Sequence, residues 1–282
     1  MVKLLYYAVG QSMEVAEYTL LYLLSRVIKR KDIAVIGNFP LNIRVDVKKI
    51  DVMKKICEYI GNVIYAIAPH ALGIKLQLGY LQKNRLASKK NQETSEMEPG
   101  VLQLCDQTYL LVNECTLEQG KLDELGVRNL KVIQCIIEGQ QIYYDYEFQG
   151  VAVFTNYPIL TLSGGKSIFR DLISVKIENP LTDETDVISL VLKDDGTMKK
   201  MRAYHAMLSS AFIEVTLPEE VTKAIQQDYV ESRAKDQTIQ PKDLELWVML
   251  SRLYALSYGS QTVTIEHFQS CLLYTSPSPR DS

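Results

Sequence analysis

Three short stretches of this sequence carry residue types that could handle a nucleoside triphosphate, and in each one a key group has been exchanged. The first is GQSMEVAEY, residues 10–18, which lies between an apolar run (2–9) and a helical pattern. Strand, glycine loop and helix in that order make a phosphate-binding loop, where glycines let backbone N–H groups approach the phosphates and a lysine meets the terminal ones. Here there is one glycine, Gly10, and Glu17 and Tyr18 stand in the places of the lysine and the hydroxyl residue. A carboxylate there replaces attraction by repulsion, on the order of a few kcal/mol per charge pair at intermediate dielectric. The stretch predicts a site that repels nucleotide.

The second stretch, LLVNE (110–114), has the form of a Walker B strand with Asn113 in the position of the metal-organising aspartate. A neutral amide is a poor organiser of Mg²⁺, and Glu114 taken alone, at a strand end, reads as a surface acid. The third, SGGKS (163–167), has the G-K-S ending of a Walker A motif, but the opening glycine would fall on Leu160 and the stretch follows the Walker-B-like strand instead of preceding it. A Gly-Gly turn with a solvated lysine is the better reading. Lys166 as a displaced phosphate lysine keeps one alternative open, an active nucleotide-dependent ATPase. There is no G-x-S-x-G elbow, no H-E-x-x-H and no paired-carboxylate spacing. Cys57, Cys105, Cys115 and Cys135 form no C-x-x-C pair, and His70, His205 and His267 are scattered singly. No zinc spacing exists, so neither a metal nor a cofactor is expected.

These residues need elements to hold them. The run 2–9 reads as a strand buried on both faces. Ser12 can cap a helix whose stripe is Met13, Ala16, Leu20, Leu23, Leu24 and Val27, opposite Glu14, Glu17 and Lys29, and the basic run 29–31 suits that helix's last turn. A strand over 33–36, a turn at 37–40, a helix marked by Ile50, Met53, Ile56, Cys57 and Ile60, and a strand over 63–68 follow. The polar stretch 83–99 reads as a mobile loop. Strands are expected at 109–112, 142–148 and 157–162, with a helix over 126–137 that turns Val127, Leu130, Ile133 and Ile137 to one face. Asp194, Asp195 and Gly196 form a turn in a segment, 193–202, that fits no element well. The alternation predicts an α/β sheet with helices on its faces for residues 1–215. Beyond it, Pro218 and Pro241 sit where a first helical turn favours proline, Gly259 where a helix should stop and Thr264 where one could be capped. Residues 216–270 therefore read as a small helical domain.

Composition narrows the classes further. The 282 residues are 47% hydrophobic and 23% charged, enough to bury a real core. Lys and Arg total 31 against 34 for Asp and Glu, a net charge of −3 that argues against sequence-independent nucleic-acid binding. No apolar stretch approaches the roughly 18 residues of a membrane-spanning helix, and no secretory signal stands at the start. A soluble, intracellular protein is expected. The tail 271–282, with CLLYTSPSPRD at 271–281, looks like an in-frame translation of a sequencing adapter and is set apart from the fold.

One resemblance gathers these features. The segments AVGQSMEVAEYTLLYLLS (8–25), LLVNECTLEQGKLDELGVRNL (110–130), YYDYEF (143–148), SGGKS (163–167) and DYVESRAKD (228–236) resemble, in this order, the mini-chromosome maintenance complex-binding protein family. The likeness spans nearly all of residues 1–270, departs from the family over 182–202, and corresponds to about the C-terminal half of a family member. It implies an AAA+-like, P-loop NTPase-type core with a degenerate nucleotide site and a small C-terminal helical lid-like domain. On that reading Gly10, Glu17 and Tyr18 take the Walker A positions, Asn113 and Glu114 the Walker B positions, and Met249, within 244–251, the place of a lid arginine. The resemblance further implies a nuclear, non-enzymatic partner of mini-chromosome maintenance helicase subunits. Such a protein promotes their unloading from chromatin or their assembly during DNA replication and supports sister chromatid cohesion, without direct sequence-specific nucleic-acid binding and without a membrane.

Overall fold

The structure, a computed structural model, describes residues 1–9, 11–31, 34–47, 50–146, 149–177, 191–209 and 213–275. The chain divides into two compact units, Met1–Arg202 and the residues from Ala203 onward.

The first unit is built on five parallel strands, β3 (Leu41–Val45), β4 (Ala71–Lys75), β7 (Tyr109–Asn113), β10 (Ile159–Ser163) and β11 (Ile173–Ile177). Their spatial order is β11-β3-β10-β7-β4. Parallel strands covered on both faces read as continuous apolar runs, and YLLVN and ILTLS are the two such runs at the centre, buried at nearly every position. On one face Leu110, Val112 and Ile159 pack with Ile133, Ile136 and Ile137 of α5 (Glu124–Gly139). On the other, Leu111 faces α3 (Ile50–Ile67), where Gly61 is close enough that an added Cβ would lie 3.8 Å from it. Helix α2 (Met13–Leu24) packs on β3 and β11. A second sheet, in the order β6-β5-β8-β9, joins β5 (Lys89–Lys90), β6 (Met97–Glu98), β8 (Gln141–Asp145) and β9 (Gly150–Phe154). A short α4 (Leu78–Lys83) follows β4.

Several expected elements differ, each for a physical reason. The run 2–9 is not a strand but helix α1 (Val2–Ala8), whose buried Leu4, Leu5 and Ala8 have the one- and four-residue spacing of a helix face. A short apolar run cannot by itself distinguish a buried strand from a buried helix. For the same cause the strand expected at 63–68 is the last part of α3, with Val63, Ile64 and Ile67 buried at the spacing begun by Ile56 and Ile60. The basic run does not close α2. Lys29–Lys31 is strand β1, paired antiparallel with β2 (Ala34–Ile36). Ser12 does cap α2, accepting a hydrogen bond from the Val15 amide at 3.4 Å, but α2 is buried all round from Val15 onward except Glu17, while Met13 is exposed. The stretch 83–99 holds the β5–β6 hairpin instead of a loop, because the Asn91 carboxamide ties the amides of Glu93 and Thr94 into a turn. Val127 lies on the exposed side of α5, and Asn129 takes a buried place instead. Residues 195–209 form α6 (Asp195–Ser209), capped by Asp194, which accepts from the Gly196 amide and the Thr197 hydroxyl. Of the strand expected at 142–148, β8 supplies the first part; Glu147 and Phe148 lie outside the described residues.

The second unit holds α7 (Glu219–Lys235), α8 (Pro241–Ser257) and α9 (Ile265–Thr275) around Val221, Ile225, Trp247, Ala255, Val263 and Phe268. Pro241 is the first residue of α8, Pro218 precedes α7, and Gly259 stops α8 in the left-handed region at φ +72°. Thr264 accepts from the His267 amide at the start of α9. Helix α9 includes residues 271–275 of the tail set apart above, and 276–282 lie outside the described residues. No described helix is long and apolar enough to cross a membrane.

Candidate functional site

In an open parallel sheet, ligands bind beyond the carboxyl ends of the strands at the point where strand order reverses. Here that point is β3, which has the chain's later strands β10 and β11 on either side. The adjoining carboxyl ends bring Ser163 of β10, Asn113 of β7 with Glu114 just past it, and Asp46, just past β3, to one edge. Two of the residues singled out in the sequence, Asn113 and Glu114, therefore stand at the position where chemistry would be done.

Neither is free to do it. The Asn113 side chain accepts from the Cys115 amide at 3.0 Å and so caps the single 3₁₀ turn Glu114–Thr116, an Asx motif. Glu114 is buried, not a surface acid. Its Oε1 accepts from the Ser167 hydroxyl at 2.6 Å and its Oε2 from the Ile168 amide at 3.0 Å, so both oxygens are held by the loop that follows β10. Burial raises the Glu114 carboxyl above its ordinary pKa, and the two hydrogen bonds pull it partly back.

That loop is SGGKS. Ser163 turns it by sharing its one hydroxyl hydrogen between the Gly165 carbonyl at 2.9 Å and Asn42, and Ser167 holds both Glu114 and, by accepting at 3.1 Å, the Phe169 amide. Lys166 is exposed at its crest. A phosphate loop delivers its ligand to a helix N-terminus, whereas bends and then β11 follow Ser167. Behind the loop a polar seam, buried at Asn42, Thr161 and Ser163 and reaching the surface at Ser174, crosses three strands. Asn42 of β3 accepts from Thr161 at 2.8 Å and Ser163 at 3.0 Å of β10, and its amide donates to Ser174 of β11 at 3.2 Å. Sequence reading missed this seam; its one signal was the polar Asn42 between the apolar Leu41 and Ile43.

At the mouth of β3, Asp46 pairs with Lys176 at 3.3 Å and more loosely with Arg44 at 3.8 Å. The sequence between β3 and α3 reads Asp46-Val47-Lys48-Lys49, without a glycine. Beside Glu114, the Cys57 thiol of α3 donates to Cys115 Sγ across 3.7 Å. That bond raises the Cys57 pKa and lowers that of Cys115.

Glu17 and Tyr18 lie elsewhere, on α2. Tyr18 stacks on Phe39, ahead of β3, with ring centroids 6.2 Å apart. One turn on, Tyr22 donates to the Leu110 and Pro158 carbonyls at 3.4 and 3.5 Å, and Tyr109 donates to the Leu23 carbonyl at 2.6 Å. Helix α2 thus seals the amino ends of the strands, and Glu17 and Tyr18 are not brought to Asn113 and Glu114. The strand–loop–helix expected around Gly10 is a helix–turn–helix; Gly10 itself lies outside the described residues. Met249 is half-buried on α8 in the second unit.

Comparison with known proteins adds a lineage to this geometry. A family model described as mini-chromosome maintenance replisome factor matches residues 1–273. Curated relatives called mini-chromosome maintenance complex-binding protein are 28% identical over 254 residues in Danio rerio, 28% over 257 in Arabidopsis thaliana and 26% over 260 in Homo sapiens. These matches cover 88, 91 and 90% of the chain but 39, 42 and 39% of the relatives, so the chain spans about two fifths of their length.

Proposed function

Because the chain belongs to the mini-chromosome maintenance replisome factor family, we propose that it binds subunits of the mini-chromosome maintenance helicase through an AAA+-like core that no longer uses nucleotide. The relatives' name supports the partner, and the five-stranded parallel sheet with its switch point at β3 supports the core. The observation that carries the loss of chemistry is the state of Glu114. A carboxylate that positions an attacking water must be open to it, and Glu114 is buried with each oxygen already accepting from the loop after β10, one from Ser167 and the other from Ile168. The neighbouring Asn113 is spent on a cap, the β3–α3 sequence offers no glycine for backbone approach to a phosphate, and Lys166 has no helix behind it. A triphosphate does not fit the residues present.

The mechanism follows from what is missing. Helicase subunits close their ring through ATP held between neighbours, so a partner with a subunit's outline and a spent pocket would occupy a place without supplying that bond. We assign the chain to a nuclear role in releasing subunits from chromatin or holding them before assembly, in support of replication and sister chromatid cohesion. Co-purification with helicase subunits tests the partner: recovery of stoichiometric subunits is expected, and none recovered overturns the reading. A thermal shift with ATP and Mg²⁺ tests the core, with no saturable rise expected. Hydrolysis by the purified chain that Lys166→Ala abolishes would establish the rival, an active ATPase.

A further inference from the structure

Strand β9, GVAVF, stands out from every other strand of the first unit. It is the outer strand of its sheet, and Gly150, Val151, Ala152 and Phe154 are exposed, Phe154 by 65%. No charge interrupts it, although edge strands are ordinarily blunted by lysine, proline or a bulge. Its inner side is fully committed. The Thr155 amide donates to the Gln140 carbonyl and the Tyr146 amide to the Gln149 carbonyl, which fixes the alternation of the ladder. By that alternation Val151 and Val153 exchange hydrogen bonds with Tyr144 and Ile142, and the N–H and C=O groups of Gly150, Ala152 and Phe154 point away from β8.

The side chains above that free edge are equally specific. Ala152 and Phe154 share a face with Tyr143, itself 44% exposed, while the opposite face carries Ile142 into the core. At the Phe154 end stands Arg30 of β1, its guanidinium 4.7 Å from the ring centroid. It is held there by hydrogen bonds to the Gly139 and Thr155 carbonyls, and of this chain's own carboxylates it feels the field of Asp106.

We propose that β9 is a docking edge for an extended segment of a helicase subunit, which adds to the sheet as a further strand. Main-chain pairing with Gly150, Ala152 and Phe154 supplies the register, an apolar residue covers Tyr143 and Phe154, and a carboxylate at the Phe154 end meets Arg30. This rests on the proposed partner, so the experiment separates the two. Unaltered chain is co-purified with helicase subunits beside Ala152→Pro and Phe154→Asp. Proline at 152 deletes an outward N–H and leaves the β8 ladder whole, so both variants are expected to melt like the parent. Binding is expected to fall at least tenfold in each, and hydrogen exchange at the Ala152 and Phe154 amides to slow on complex formation. If the parent recovers no subunits, the partner is wrong. If the parent binds and both folded variants bind equally well, or the two amides stay unprotected, the docking edge is wrong. Protection of those amides in the isolated chain, rising with its own concentration, would overturn it in favour of pairing between two copies.

Discussion

Strands β9 and β10 are separated by four residues, 155–158, are each five residues long and carry no charge, yet one is exposed almost throughout and the other buried throughout. GVAVF and ILTLS differ little as β-forming sequences. What separates them is their neighbours: β10 lies between β3 and β7 with both faces covered, and β9 has β8 on one side and solvent on the other. Strand propensity resides in the residues themselves, and burial is conferred by topology. On the functions proposed above this becomes a division of labour, in which the buried strand holds the fold and the candidate site while the exposed one would meet a partner.

The largest expected effect is on that contrast itself. Ile159→Ala in β10 removes a side chain with no exposure and is expected to destabilise the first unit by about 2–5 kcal/mol. Val151→Ala in β9 is expected to stay within about 0.5 kcal/mol. Urea denaturation of both variants checks this, and similar losses would erase the distinction. Next in size is the polar seam. Thr161→Val keeps the shape but deletes the 2.8 Å bond to Asn42, at an expected cost of about 1.5 kcal/mol for a buried pair, whereas Ala152→Thr on the edge should leave the midpoint unmoved.

The same contrast explains which parts of the molecule the sequence disclosed. Strands β7 and β10 were legible because two-sided burial demands uninterrupted apolar runs, and α5 because Ile133 and Ile137 repeat at helical spacing. Helix α1 and the end of α3 read as strands because their apolar runs are short and the half-exposed positions are also apolar or aromatic, Tyr6 and Tyr7 in α1 and Tyr65 and Ala66 in α3, so the sequence hides the spacing of the buried ones. Strand β9 escaped notice for the opposite reason, since nothing covers it and no alternation is imposed. At the candidate site, Asn113 and Glu114 were placed correctly at a strand end. What the residues alone could not tell was that Ser167, 53 positions later, closes on Glu114. Gly10, Glu17 and Tyr18 are assigned to a phosphate loop on the strength of a strand that is a helix.

Glu114 gives the third and smaller test, on the buried side of the contrast. Its pKa is raised on folding, so the folded state binds its proton more tightly than the unfolded one. The contribution of such a group is fully present below the unfolded pKa and is lost as pH rises through the folded value. Glu114→Gln retains an acceptor for Ile168 and a donor for Ser167 without a buried charge. Its stability is expected to exceed the parent's at pH 7, on the order of 1 kcal/mol, the scale of a single buried hydrogen bond. The gap should close as pH is lowered past the ordinary carboxylate range. Melting curves at pH 4 and 7 check this, and a loss at pH 7 instead would mean that the charge itself holds the 163–168 loop in place.

The smallest change in stability belongs to the exposed strand, where it sharpens the contrast most. Val151→Lys places on β9 the kind of charge that edge strands ordinarily carry. Val151 is 39% exposed, so a lysine can lay its stem along the same surface and keep its ammonium in water, with a stability change within about 0.5 kcal/mol. A bare apolar edge is a template for pairing with any unfolded chain, and it is most exposed to that hazard during refolding. Light scattering during refolding from urea is therefore expected to fall in Val151→Lys while the midpoint stays fixed. A midpoint lowered as far as that of Ile159→Ala would place Val151 among the residues that hold the fold, and β9 would then be an extension of the core and not its open side.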